Sequence, residues 1–88
     1  MDRQSLECVA FGRHLRWWRA QRGYSQEELA ERAGLDRTYI SSCEAGRRNV
    51  TLKTINRLAA ALDVHVADLV DEPHDRAAEE PPSYGENS

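Results

Sequence analysis

Three kinds of side chain in this 88-residue sequence could carry chemistry: thiols and imidazoles, hydroxyls, and a run of guanidinium and hydroxyl groups between residues 37 and 49. Cys8 and Cys43 stand far apart, with no CxxC and no histidine at ligand spacing, which argues against a metal site and for free thiols rather than a disulfide. His14, His65 and His74 have no ligand spacing with one another or with the cysteines and read as surface or capping residues. Ser25, Ser41 and Ser42 lack the histidine and carboxylate partners of a nucleophilic triad, and no glycine-rich phosphate loop is present. The sequence therefore reads as a non-enzyme with no metal and no cofactor. What remains is Arg37-Thr38 with Ser41 and Ser42, followed by Arg47-Arg48-Asn49. Side chains of these types suit the base edges and phosphates of a nucleic acid.

Such groups need a scaffold that holds them on one face, and the pattern around them is helical. Ser25 with Glu28 three positions on predicts a capping box, in which hydroxyl and carboxylate each satisfy an orphan backbone N–H. Leu29, Ala30 and Ala33 form the inner face of that helix, and Ala30 is small where a steeply crossing helix must approach. Gly34 supplies a left-handed turn, Leu35 inserts towards the core, and Asp36 caps the next helix, which runs from Arg37 to Ala45. Ile40 and Cys43 point inward on it, leaving Arg37, Thr38, Ser41 and Ser42 outward, and Gly46 stops it. Two short helices joined by a tight turn are a helix-turn-helix.

The remaining segments read as support. Residues 6 to 22 carry Phe11, Leu15 and Trp18 at i, i+4 and i+7, an amphipathic helix with Ser5 as its N-cap and Gly23 at its end. Trp17, rotated by about 100° from that stripe, is expected to be partly exposed. Thr51 caps a helix marked by Leu52, Ile55, Leu58, Ala59 and Leu62, and a last short helix spans about Val66 to Val70. No segment alternates as a half-buried strand does, so the expected fold is all-α with five helices.

Composition, 40% hydrophobic and 31% charged, allows one domain, placed at residues 1–71, and residues 72–88, EPHDRAAEEPPSYGENS, are expected to form a disordered acidic tail. The formal charge of -3 hides an asymmetry, with +2 over residues 1–70 and -5 over residues 71–88. No apolar run reaches membrane-spanning length and the first residues, MDRQSLECVA, lack the order of a secretory signal, so no membrane association and a cytoplasmic location are expected.

Five phrases carry a family likeness: Phe11-Gly12-x-x-Leu15-Arg16; Arg22-Gly23-Tyr24-Ser25-Gln26-Glu27-Glu28-Leu29-Ala30; Gly34-Leu35-Asp36-Arg37-Thr38-Tyr39-Ile40-Ser41; Glu44-x-Gly46-Arg47-Arg48-Asn49; and Leu58-Ala59-x-Ala61-Leu62. They resemble the Cro/C1-type helix-turn-helix regulators, and DRTYIS followed by E-x-G-x-R-N is most similar to restriction-modification controller proteins. The chain departs from many relatives at Val50, where they carry Pro, and at Cys43, where they carry an aliphatic residue.

The resemblance implies a lambda-repressor-like five-helix fold and a transcriptional regulator acting as a dimer on a palindromic operator in double-stranded DNA. It implies base contacts from Arg37, Thr38, Ser42 and Ser41, backbone contacts from Gln26, Tyr39, Arg47, Arg48 and Asn49, and a homodimer built from the last helix through Val66, Leu69 and Val70. A contact with RNA polymerase would set activation or repression. The rival expectation is an antitoxin or adaptor-type protein-interaction module on the same fold, with the acidic tail, including Tyr84, engaging another protein.

Overall fold

A computed structural model of the chain describes residues 6–71, and over that span five helices follow one another without a strand. They are α1 (Leu6–Arg22), α2 (Gln26–Ala33), α3 (Arg37–Glu44), α4 (Leu52–Leu62) and α5 (Val66–Val70). The expected cap Ser5, His74 and the whole acidic tail lie outside the described residues.

Helix boundaries follow local chemistry. The Ser25 hydroxyl accepts from the Glu28 N–H at 2.9 Å, so the hydroxyl half of the capping box forms. Its carboxylate half does not: Glu28 turns instead to Arg32, one turn on, at 3.1 Å. On an exposed helix an i,i+4 acid–base pair competes directly with the cap for that carboxylate. Gly34 closes α2 at φ 71°, and the Leu35 N–H reaches the Ala30 carbonyl at 2.8 Å. Asp36 opens α3 by accepting from the Thr38 N–H, and Thr51 opens α4 by accepting from the Thr54 N–H. Asp63 ends α4 in the left-handed region at φ 59°.

Helix α1 carries α3 and α5, while α2 packs against α3 and α4. Phe11 and Leu15 enter a core completed by Leu29, Ala30, Ala33, Ile40, Cys43, Leu58, Ala59, Leu62 and Leu69. Trp18, half-buried, packs against that core and donates its indole N–H to the Asp68 carbonyl at 3.0 Å, while Trp17 is exposed and meets it edge-on. Arg22 donates to the Leu62 and Asp63 carbonyls, capping the end of α4 from outside.

Two expectations change here. His14 is not a surface or capping residue; it is buried, 3% exposed, with Nδ1 2.6 Å from the Leu69 carbonyl oxygen. A carbonyl can only accept, so Nδ1 carries the proton and donates. Leu69, expected to face a partner, is fully buried in the core of its own chain, whereas Val66 is half-buried and Val70 is 49% exposed. Among the described residues no cluster of side chains could hold a metal ion, and no helix is long and apolar enough to cross a membrane.

Candidate nucleic-acid interface

The outer face of α3 carries the groups singled out above. Arg37 and Thr38 are exposed on its first turn, and Ser41 and Ser42 are half-buried on its second. The Thr38 hydroxyl donates to Asp36 Oδ1 at 2.8 Å, so its proton is committed and the residue presents a lone pair and a methyl group outward. The same bonds, from the Thr38 hydroxyl and N–H, hold the Asp36 carboxyl below the usual aspartate range.

Beyond α3 the chain turns through Gly46 at φ 78°, and the Arg47 N–H closes the turn on the Ser42 carbonyl at 3.0 Å. Arg47, Arg48 and Asn49 are exposed. The Arg48 guanidinium lies 4.8 Å from the centroid of the half-buried Tyr39 ring, and Asn49 Oδ1 accepts from the Cys8 thiol at 3.3 Å. Tyr39, Arg48 and Asn49 are thus held in place by the scaffold, which reduces the entropy they would lose on meeting a ligand.

What fixes α3 itself is Glu44, whose side chain is only 5% exposed. Its carboxylate takes two N–H donors from Arg19, Nε at 2.6 Å and Nη2 at 3.0 Å, and a third from Gln26 Nε2 at 3.0 Å. Arg19 also donates Nη1 to the Tyr24 carbonyl at 2.9 Å. One carboxylate therefore joins α1, the start of α2 and the end of α3, and donating to Glu44 holds the Arg19 guanidinium further in its charged form. Gln26 is brought to the α3 end by this network rather than left loose at a helix N-terminus.

Gly12 completes the fit. A Cβ added there would stand 2.4 Å from the Cys43 carbonyl oxygen and 2.8 Å from that of Glu44. The backbone of α1 thus touches the C-terminal turn of α3, an approach open only to glycine. The sequence pattern alone assigns no role to Arg19, Glu44 or Gly12 beyond their places in the helices. The Phe11-Gly12 pair inside a helical pattern was the available signal.

Val66, Leu69 and Val70 lie on α5 rather than on α3, with Val70 bordering the Arg48-Asn49 turn across a groove. Among the described residues, Leu6 and Leu52, exposed at 85% and 67%, are the other large apolar side chains left open besides Val70 and Trp17.

Two short helices crossing through Ala30 and Gly34, with a carboxylate-locked second helix that offers Arg37 and Thr38 outward, define a helix-turn-helix DNA-binding domain. The chain belongs to the helix-turn-helix family, whose model matches residues 15–69. It is 44% identical over 75 residues to a Neisseria meningitidis hypothetical transcription factor, covering 85% of this chain and 70% of that protein. The crystal structure of the restriction-modification controller protein C.AhdI from Aeromonas hydrophila superposes with a TM-score of 0.72 at 46% identity, covering 74% of this chain and 98% of that one. That of the biofilm master regulator SinR in complex with DNA gives 0.67 at 37% identity, covering 69% and 98%. The protein is a Cro/C1-type DNA-binding transcription regulator, with restriction-modification controllers among its relatives.

Proposed function

We propose that the protein binds a palindromic operator in double-stranded DNA as a homodimer, with α3 in the major groove. Arg37 offers parallel N–H donors to guanine O6 and N7, a contact worth about 1–3 kcal/mol against a wrong base. Thr38, its hydroxyl proton held by Asp36, accepts from an exocyclic amine or packs on a thymine methyl. Ser41 and Ser42 complete the base-facing set. Gln26, Tyr39, Arg47, Arg48 and Asn49 meet the phosphate backbone on either side. The observation that carries this reading is the Glu44 network, which fixes the base-facing helix and Gln26 as one rigid unit.

One such helix reads only a few base pairs, and two copies with half-sites about 34 Å apart read a palindrome. Val66 and Val70, with exposed Leu52 and Leu6, offer the apolar surface for that pairing. Exposed Glu27 and Glu31, one turn apart on α2, offer RNA polymerase an acidic contact. The C.AhdI likeness supports a role as controller of a restriction-modification system, and a DNA-bound regulator of this kind works in the cytoplasm.

Titrating the protein into its own upstream DNA, with light scattering on the free chain, tests the proposal. The expected result is salt-sensitive specific binding by a particle of two chains. Specific binding lost at every salt concentration, or a mass of one chain at micromolar concentration both free and bound, overturns it.

A further inference from the structure

A groove of about 260 Å³ runs between the first turns of α1, the turn after α3, α4 and the end of α5. Phe11, Val50 and Ile55 give it an apolar lining, Val70 closes one wall, and Arg48 and Asn49 stand on another. The chain therefore leaves the described structure, at Val70-Asp71, on the rim of the groove that carries Arg48. The sequence that follows is the most acidic part of the protein: residues 71–88 hold six carboxylates against one arginine. It also places Ala77, Ala78, Pro81 and Pro82 among those acids, small apolar side chains that suit a shallow groove.

We propose that the segment from Glu72 to Pro82 docks along this groove and sets its carboxylates, those of Glu72, Asp75, Glu79 and Glu80, against Arg47 and Arg48. The protein then carries its own competitor for the DNA backbone, and the inference rests on the assignment of Arg47 and Arg48 as phosphate contacts. Charge complementarity and the point of attachment select this occupant. Each carboxylate–guanidinium pair is weak when free in water, but a short tether raises the local concentration of the acids to about the millimolar range. Duplex DNA, with one charge per about 1.7 Å of axis, outcompetes a segment of net charge -3 once it is present in excess. Displacement lowers affinity for every duplex by the same factor, which leaves a strong operator occupied and empties weak sites. Glu7, also on the groove wall, opposes the docked acids and keeps the contact reversible.

The test compares the full chain with a quadruple variant, Glu72→Gln, Asp75→Asn, Glu79→Gln and Glu80→Gln. The first arm is the NMR spectrum without DNA, read at the Arg47 and Arg48 side-chain N–H groups and at the Val50 and Ile55 methyls. The second arm is the Kd for a random-sequence duplex of about two helical turns, at about 0.02 M and about 0.3 M salt, where screening lengths differ several-fold. The proposal expects shifts confined to those groups and binding by the variant roughly tenfold tighter at low salt, with the two proteins converging at high salt. Unchanged spectra overturn it, including the case in which affinity rises, because the acids then act only by repelling DNA at a distance. Shifts without a change in Kd also overturn it, by showing docking that does not compete. Failure of both proteins to bind any duplex would instead refute the DNA-binding reading, while the spectra still report on docking. Tail resonances that move only on addition of another protein would overturn the intramolecular contact in favour of a partner.

Discussion

Gly12→Ala is the substitution that most sharply connects packing to DNA reading. In an open helix it would stabilise by about 1 kcal/mol, because glycine carries the larger backbone entropy. Here the new methyl meets two backbone carbonyls, at 2.4 Å from Cys43 and 2.8 Å from Glu44, and neither can swing aside as a side chain would. Restoring ordinary contact requires the end of α3 to retreat by about 1 Å, and because both obstacles are backbone the cost falls in the upper part of the overpacking range, about 2–3 kcal/mol. Net destabilisation of about 1–2 kcal/mol follows, which in a domain of this size lowers Tm by about 5–15 °C. Since α3 moves as a unit, Arg37 moves with it, and specific DNA affinity falls by about tenfold or more as the bidentate contact is lost. Thermal unfolding by circular dichroism and binding to the operator by fluorescence anisotropy measure the two effects. A Tm at or above that of the parent, with unchanged specific affinity, would refute the claim that α1 fixes the position of α3 through this contact.

Glu44→Gln leaves the Arg19 charge without its partner in a mostly buried setting and is expected to cost about 2–4 kcal/mol in chemical denaturation, with an accompanying loss of operator binding. The Asp36 carboxyl is held below its usual range by the bonds from Thr38, so the unfolded chain takes up the proton first and the cap's contribution, complete above about pH 4–5, is lost as pH falls through the lower, folded value. Asp36→Asn keeps a capping oxygen and removes that acid dependence, which hydrogen exchange at the Thr38 and Tyr39 amides will show; an identical pH profile would contradict the assignment. Burial pushes the Cys43 thiol up to about 11, so alkylation near neutral pH should modify Cys8 and spare Cys43 until the chain unfolds, as read by mass spectrometry of the labelled protein.

Much of the fold was legible because it rests on local chemistry. Ser25, Asp36 and Thr51 cap the helices assigned to them, Gly34 makes the left-handed turn, and the period of Leu52, Ile55, Leu58 and Leu62 marks α4. The outer face of α3 followed from the same periodicity once Ile40 and Cys43 were turned inward. What escaped depends on how helices cross. His14 reads as polar in isolation, and only the docking of α5 across α1 gives its Nδ1 a buried carbonyl to bind. Leu69, which the family likeness implies as a dimer contact, is fully buried in the core of its own chain, a placement that depends on how α5 docks. Glu28 had two local partners within reach, the cap N–H and Arg32, and their competition is decided by exposure that spacing does not encode.

Arg37, held by a locked α3, is proposed to read a base rather than merely add charge. The most direct test is the affinity of Arg37→Ala for the operator and for a random duplex under the same salt. The expected loss is about two to four orders of magnitude on the operator with little change on the random duplex, since each of the two half-site contacts contributes about 1–3 kcal/mol and only where the base is right. Equal losses on the two duplexes would mark Arg37 as a phosphate contact and refute its base-reading role.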